Sequence, residues 1–391
     1  VVAGDIFFCE VHQDQDDLEP AVRAVEKGAV AVVVQSDEQG VLCCEDMPLI
    51  YVKDIHDCEA RLAVVFYRNP SGRMLMVGVT GSSGKSTVCW LTRAVLEHCG
   101  LMTGLMSDNE YAITDDLLDE EGDLWNEPHP HPAKERSCST PFHLTPYKGR
   151  YTVPDTLPDT LKVQKVLAGM FERGAQACVM ECPSIALDQH RCHYVYYALA
   201  VFTNLTPEHL DYHGSLDDYI EAKGLLFQKL DNPEKQRAVV NIDSEYAAKF
   251  LEFAANVPVV TYGIKDQNAD VCIESVKYSI WETELLIRTP VGRMEVISYL
   301  IGEHNVYNVL AAVAVALSVN APLEKIAAGL ESVENVPGRT QVVDTGSQQL
   351  FSVVVDNAHT PQALTRLLDN IRWGAQSLIC SCGWICARLS P

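Results

Sequence analysis

In "MVGVTGSSGKSTVCWL" (residues 76–91) a run of apolar residues enters a stretch of glycines, hydroxyls and one lysine, and the helical spacing Val88, Trp90, Leu91, Val95 follows. A glycine loop that opens a helix aims unpaired backbone N–H groups and the positive end of the helix dipole at one point, which suits a phosphate. The strict pattern G-x-x-x-x-G-K-[ST] is not met, because Val79 stands five positions before Gly84, with glycines at 78 and 81 instead. What remains is T-G-x-x-G-K-S-T. Lys85 is expected to reach the β- and γ-phosphates, Ser86 to ligate Mg²⁺, and Gly81 and Gly84 to let the backbone close around the oxygens. The expectation is a nucleoside triphosphate site; a glycine-rich turn beside a surface lysine is the alternative.

Composition bounds what can surround that loop. A chain of 391 residues exceeds what one core usually organises, so two or three domains are expected, and with 47% hydrophobic residues there is ample material to bury. Lys and Arg number 30 against 53 Asp and Glu, a net charge of −23, which argues against a general nucleic-acid or anionic-membrane surface. A polyanionic ligand must then be met by local cations and metal. No run has transmembrane length and no signal-peptide pattern opens the chain, although a first residue of Val leaves room for a targeting segment ahead of it. The 14 cysteines are scattered; Cys43 with Cys44, and Cys380, Cys382 and Cys386, lack zinc spacing with histidines and read as thiols in a reducing compartment.

The chain divides into three blocks. Residues 1–70 run "GDIFFCEV", "AVRAVEKGAVAVVV", "MPLIYVKDI", a strand, helix, strand order that predicts a small α/β domain, and "YRNPSGR" (67–73) reads as a linker. Residues 71–338 repeat the alternation: "LKVQKVLAGMFERGAQACVMECP" is a helix, a glycine stop and a strand, and "YALAVFTNL", "RAVVNID" and "VPVVTYG" are buried strands. The prediction is an α/β fold with a mostly parallel sheet. Within this block residues 108–150, with an acidic run at 115–127 and prolines after it, read as a solvated or disordered insertion; His129 and His131 there read as loop residues rather than metal ligands. Residues 339–391 begin a third unit, with "LFSVVVDNAHTPQALTRLLDNIRW" as strand, loop and helix, and stop before a domain is complete.

Strand "ACVMEC" delivers Glu181 at its C-terminal end, the edge at which doubly wound sheets bind ligands, and a carboxylate there can hold a cation that neutralises a triphosphate. The stretch "FTNLTPEHLDYHGSLDDYIEAKGLLF" (202–227) is denser in chemistry, with His209, Asp211 and His213 after a buried strand and Lys223 on the helix beyond.

Together with "GVTGSSGKST", "VMECPSIALDQHR", "GEHNVYNVLAAVAVAL", "VPGRTQVVD" and "VVVDNAHTPQAL", that stretch resembles the Mur ligases, and most of all the UDP-N-acetylmuramoyl-dipeptide ligases that add the third stem-peptide residue. The resemblance covers about residues 3–378 and is broken by the acidic insertion. It implies three domains: a UDP-sugar-binding type of α/β domain at 1–70, a central P-loop mononucleotide-binding domain with a parallel sheet at 71–338, and a truncated Rossmann-like domain at 339–391. It also implies a reaction in which ATP phosphorylates the peptide carboxylate and an amine attacks the acyl phosphate. ATP would be bound by Thr80, Gly81, Ser82, Ser83, Gly84, Lys85, Ser86 and Thr87, by Asn305 and Asn308 of the "HNxxN" motif, by Arg339 of "PGR", and by Asp356 and His359 of "DxAHTP". Mg²⁺ would be held by Ser86, Glu181, His209 and Lys223, the last as a carbamate, and Lys85, His209, Lys223 and Arg339 would be the catalytic residues. Thr152, Ser184, Gln189 and Arg191 would meet the UDP-sugar, and the amino acid would be diaminopimelate or lysine.

Near the sugar site the chain departs from that pattern. "TVP" stands where the family reads "TTP", putting Val153 in place of a hydroxyl, and "ECPSIAL" stands for "EVSSHAL", putting Pro183 and Ile185 in place of Ser and His. After Leu378 the family's aspartate-arginine motif gives way to "ICSCGWICARLSP", as in a truncated or mis-spliced frame. "VPVVTYGIKDQNADV" and "LFQKLDNPEKQRAVVNID" look most like the plastid members of plants and algae, which implies the plastid stroma, with the cytoplasm as the alternative. Some plastid members look like subunits of the plastid-encoded RNA polymerase assembly, so a non-catalytic subunit is the rival to a ligase. Neither reading involves a membrane or direct contact with nucleic acid.

Overall fold

The computed structural model describes residues 1–9, 19–35, 40–44, 47–107, 111–113, 116–118, 146–147, 150–151, 160–279, 282–343, 353–356, 358, 364–365 and 367–368. The first unit contains β1 (Ile6–Cys9), α1 (Glu19–Glu26), β2 (Ala31–Gln35), β3 (Gly40–Cys44), β4 (Met47–Val52) and α2 (Ile55–Phe66). Its sheet runs β1-β2-β4-β3, with β2 parallel to both neighbours and β3 antiparallel to β4. Val32 and Val34 project with Cys9 and Ala21 into a small core, as the apolar run of β2 requires. Asp54 caps α2 by accepting the Asp57 N–H. The helix is also tied to the central unit: the Tyr194 hydroxyl donates to Asp57 at 2.5 Å, and Arg61 Nε donates to the Tyr194 oxygen at 2.8 Å. The expected linker at 67–73 closes into a 3₁₀ turn at Pro70–Arg73.

The central unit opens with β5 (Leu75–Thr80), α3 (Lys85–His98) and β6 (Thr103–Met106). Two short strands follow, β7 (Tyr111–Ile113) and β8 (Asp116–Leu118), then β9 (Pro146–Tyr147) and β10 (Arg150–Tyr151) as a separate pair. Next come α4 (Thr160–Glu172), β11 (Ala177–Glu181), α5 (Ser184–Asp188), β12 (Leu199–Phe202), α6 (Leu210–His213), α7 (Leu216–Gln228), β13 (Arg237–Asn241), α8 (Ala247–Phe253) and β14 (Val259–Gly263). A hairpin sequence, β15 (Val271–Tyr278), β16 (Thr283–Thr289) and β17 (Gly292–Ser298), precedes α9 (Glu303–Ser318) and α10 (Leu323–Glu331). The large sheet has the order β17-β16-β15-β14-β13-β12-β5-β11-β6-β7-β8. It is parallel from β15 to β6, as expected, and antiparallel at both edges. The start of the acidic segment is therefore structured: Ala112 and Ile113 are buried and extend the sheet, while residues 119–145 lie outside those described.

Alternation along the strands sorts the core into two layers. Val77 and Val79 of β5, Val179 of β11 and Val201 of β12 face α3 and α9, whereas Met76, Met180 and Phe202 face α4, α7 and α8. Since β5 lies between β11 and β12, the C-terminal ends of three parallel strands converge at the point where the loop at 81–84 begins. In the last unit β18 (Gln341–Val343) and β19 (Val353–Val355) pair antiparallel. Cys9, Cys58, Cys89, Cys99, Cys178, Cys182, Cys192 and Cys272 are free thiols.

The phosphate helix α3 is pressed against α10 through Gly329, where a Cβ would stand 2.5 Å from Val95 Cα and 3.0 Å from the Ala94 carbonyl oxygen. Backbone cannot swing aside as a side chain does. Gly329→Ala is therefore expected to cost about 1–3 kcal/mol of stability, read as a lowered urea midpoint; an unchanged midpoint would refute the close approach.

Candidate active site

At the exit of β5 the Thr80 hydroxyl donates to the Cys182 carbonyl at 2.8 Å, pinning the end of this strand to that of β11. The chain then turns into α3 within four residues, two of them glycines in backbone conformations that other residues seldom adopt, Gly81 at φ +147° and Gly84 at φ +87°. Space also demands glycine: a Cβ would lie 1.9 Å from Thr203 Oγ1 at position 81 and 2.3 Å from Asn308 Oδ1 at position 84.

The loop is held from the β12 side. Ser82 N–H donates to the Asn204 carbonyl at 2.9 Å and Ser83 N–H to Asn204 Oδ1 at 3.0 Å. In return Thr203 Oγ1 and Asn204 Nδ2 donate to the Ser83 carbonyl at 2.7 and 3.0 Å. With the amides of Ser82 and Ser83 engaged, the N–H groups left to meet a ligand are those of the first turn of α3, whose N-cap, Gly84, supplies no side-chain acceptor.

Cations surround this point. Lys85 Nζ folds back to donate to the carbonyls of Gly81 and Ser82 at 3.2 and 3.1 Å. Lys223, only 2% exposed on α7, donates to the same Gly81 carbonyl at 3.0 Å, and its Nζ lies 4.4 Å from the centre of the Tyr219 ring. Arg339 Nη2 donates to Ser86 Oγ at 2.8 Å, bringing the start of the last unit onto the loop. Glu181 is fully buried at the end of β11, in register with Val79. His209 sits in left-handed backbone just before α6; burial first, and then the charge of Lys223, hold its imidazole below the ordinary histidine value, so it is neutral at pH 7. On α9, Asn308 Nδ2 donates to Asn305 Oδ1 at 2.9 Å and Asn305 Nδ2 to the Ile301 carbonyl at 2.8 Å, and the Asn308 amide lies beside Gly84.

The residues expected at the sugar side lie one loop away. Ser184 opens α5 with its hydroxyl 3.0 Å from His213 Nε2, both groups buried. Gln189 is 6% exposed, and neither atom of its side-chain amide has a hydrogen-bond partner among the described residues. Such a group is costly unless something polar meets it. Arg191 follows α5, where its N–H donates to the Ala186 carbonyl at 2.9 Å. Asp356 accepts the Thr340 N–H at 2.6 Å and the Ala358 N–H at 2.7 Å, so its carboxylate braces the turn that carries Arg339. Thr152, Val153, His359 and the tail from 379 lie outside the described residues. Thr203, Asn204, Thr206, His213 and Tyr219 were assigned no role in the sequence; the dense run of hydroxyls and amide in "FTNLT" directly after a buried strand was the available signal.

Residues 79–316 match the Mur ligase middle domain. This chain belongs to the Mur ligase family. Over 376 residues it is 38% identical to the "UDP-N-acetylmuramoyl-L-alanyl-D-glutamate--2,6-diaminopimelate ligase MurE homolog, chloroplastic" of Arabidopsis thaliana, covering 95% of this chain and 44% of that protein. It is 35% identical over 376 residues to the UDP-N-acetylmuramoyl-L-alanyl-D-glutamate--2,6-diaminopimelate ligase of Geobacillus kaustophilus, covering 95% and 68%. A solved structure of a ligase of that name superposes with a TM-score of 0.72 at 25% identity, covering 95% of this chain and 68% of that one. The chain spans less than half the length of the plant relatives it matches. No helix among its described residues is long and apolar enough to cross a membrane.

Just past the end of α7, Lys229 closes the segment that follows Arg191 in this Mur ligase chain by donating to the carbonyls of Cys192 and His193 at 2.8 and 2.9 Å. Burial pushes its ammonium down to about 8, with Cys192 and Cys182 opposing. An unfolded lysine titrates near ~10.4, so between these values the unfolded chain holds more protons, and stability rises with pH across that window. Wild type is therefore expected to gain about 2 kcal/mol over Lys229→Met between pH 8 and 10 in urea unfolding. A difference that does not change with pH would contradict the buried ammonium.

Proposed function

We propose that the chain performs the carboxylate-activating chemistry of an ATP-dependent amide-bond-forming ligase, joining diaminopimelate or lysine to a UDP-N-acetylmuramoyl-dipeptide in peptidoglycan precursor synthesis. The names of its relatives support the substrates. The observation that carries the reading is the meeting of Lys85 and Lys223 on one neutral carbonyl, Gly81, beside the uncapped start of α3. The Lys85 ammonium in that position gains more from the anionic oxygens of a triphosphate than from backbone carbonyls.

In the proposed reaction a carboxylate oxygen of the peptide attacks the γ-phosphorus, the bond to the β-bridging oxygen breaks, and ADP leaves with the electron pair. The amine nitrogen then attacks the acyl carbon, and phosphate and a proton depart. Lys85 and the first-turn amides of α3 hold charge that spreads over the transferring phosphoryl group, and Arg339 fixes the last unit against Ser86. The residues present fit Mg²⁺. Ser86 and Glu181 are oxygen donors, and this ion is usually held by one or two carboxylates with substrate phosphates and water. When bound, it neutralises phosphate charge. Neutral His209 stands on that side, and Lys223 would join the ligands only as a carbamate, since an ammonium repels a cation. The plastid stroma is the proposed location, in line with the chloroplastic relatives.

A second reading, a non-catalytic subunit of the plastid-encoded RNA polymerase assembly, is favoured by the sugar side alone. There Pro183 is the N-cap of α5 and Ile185 is buried at 3% exposure, where the family pattern has a hydroxyl and an imidazole. Co-purification in a polymerase-sized complex would support it.

Lys85→Ala is expected to abolish the rise in melting temperature produced by ATP·Mg²⁺; a shift of unchanged size would sink the nucleotide assignment. On the sugar side each lost polar partner costs roughly 1–3 kcal/mol. Calorimetry with UDP-N-acetylmuramoyl-dipeptide is thus expected to show weak binding, tightened about tenfold or more in the double variant Pro183→Ser, Ile185→His. No sugar-nucleotide binding by either protein, with ATP still bound, would move the preference to the second reading.

A further inference from the structure

Tyr219 is not among the residues assigned above to nucleotide, metal or sugar, yet it touches three parts of the site. It is 1% exposed on α7, one turn before Lys223. Its hydroxyl lies 3.0 Å from Ser82 Oγ inside the phosphate loop. Its ring lies under Lys223 Nζ at 4.4 Å, and it packs 5.2 Å from the ring of His213, which in turn meets the Ser184 hydroxyl.

The Ser82 hydroxyl can be followed bond by bond. It accepts the Thr206 N–H at 2.9 Å and donates its one hydrogen to the Thr206 carbonyl at 3.0 Å. One lone pair is left, so the contact with Tyr219 is a bond that the tyrosine donates. Ser82 is therefore saturated within the protein: its amide goes to Asn204, and its side chain goes to Thr206 and Tyr219.

We infer that Tyr219 is a positioning residue that fixes the phosphate loop and Lys223 relative to each other, its hydroxyl bracing the loop at Ser82 and its ring face seating the ammonium that reaches Gly81. The inference rests on the nucleotide reading of the loop. It assigns Ser82 to loop bracing rather than to phosphate contact. Because the brace acts on the loop and on Lys223, its loss is read most directly in polyphosphate binding.

The test is calorimetry of the whole chain with Mg²⁺-tripolyphosphate, ATP·Mg²⁺ and ADP·Mg²⁺, for wild type, Tyr219→Phe, Ser82→Ala and the double variant, each checked by far-UV circular dichroism and melting temperature. Tyr219→Phe keeps the ring and loses the brace. Tripolyphosphate affinity is expected to fall about tenfold, and the preference for ATP over ADP to shrink with it. Ser82→Ala loses the same bond together with both bonds to Thr206, so its affinity should fall at least as far, and the double variant should be no worse than Ser82→Ala, since the bond that Tyr219→Phe removes is then already gone. A purely structural role would move the melting temperature without this coupling. Tyr219→Leu should lose more, because the seat of Lys223 goes too; should it fail to fold, the phenylalanine and alanine cycle still decides. Wild type that binds tripolyphosphate no better than Tyr219→Phe does, or losses that add in the double variant, would overturn the inference alone. Wild type that binds no polyphosphate at all would overturn the nucleotide reading and the inference with it.

Discussion

The close approach of Gly81 to Thr203 is the constraint from which the site follows. A Cβ at position 81 would stand 1.9 Å from Thr203 Oγ1, so only glycine fits there, and the loop is captured by Asn204 on both of its next two amides. The neighbouring strand thus dictates the loop's path. This matters because a phosphate site needs its donors fixed before the ligand arrives; a loop that had to be ordered by the nucleotide would spend part of the binding energy on its own entropy. The two glycines look like flexibility in the sequence, and in the fold they are what permits rigidity.

Electrostatics then explain why so acidic a chain can hold a polyanion. The chain as a whole carries a net charge of −23, whereas Lys85, Lys223 and Arg339 are gathered at one strand end with the dipole of α3. Each comes from a different part of the chain: the loop itself, α7, and the segment after α10. Lys223 is the most constrained of them, with 2% exposure, a carbonyl at 3.0 Å and an aromatic face beneath it. Burying an ammonium is expensive without such partners, so its presence points to work done there rather than to packing.

The parallel sheet and the phosphate loop were legible because both depend on local patterns. Strands buried on both faces are unbroken apolar runs, and the loop has a fixed spacing of Gly, Lys and hydroxyl. The hairpin of β15 to β17 was less so, since its alternation competes with a long, nearly all-apolar α9 for notice, and the strands at 111–118 hide in an acidic context. Among the site residues, Lys85, Ser86 and Glu181 announce themselves by position. Thr203, Asn204 and Tyr219 do not, because their parts are set by partners more than 100 residues away in the sequence, at Ser82 and Ser83.

The sugar side differs from the nucleotide side in kind. At the nucleotide side most contacts run through backbone: Gly81, Ser82 and Ser83 carbonyls and amides, and the first turn of α3. Substitution of side chains elsewhere leaves such a site standing. At α5 the expected contacts are side chains, and there Pro183 and Ile185 change the chemistry while preserving the helix: proline suits a helix start because the lost N–H has no partner to miss, and isoleucine packs where an imidazole would need hydrogen bonds. Both substitutions are thus cheap for folding and costly only for recognition. Ser184 keeps its contact with His213, and the buried amide of Gln189 has no hydrogen-bond partner among the described residues, so on the proposed reading the sugar side is altered at two positions rather than dismantled.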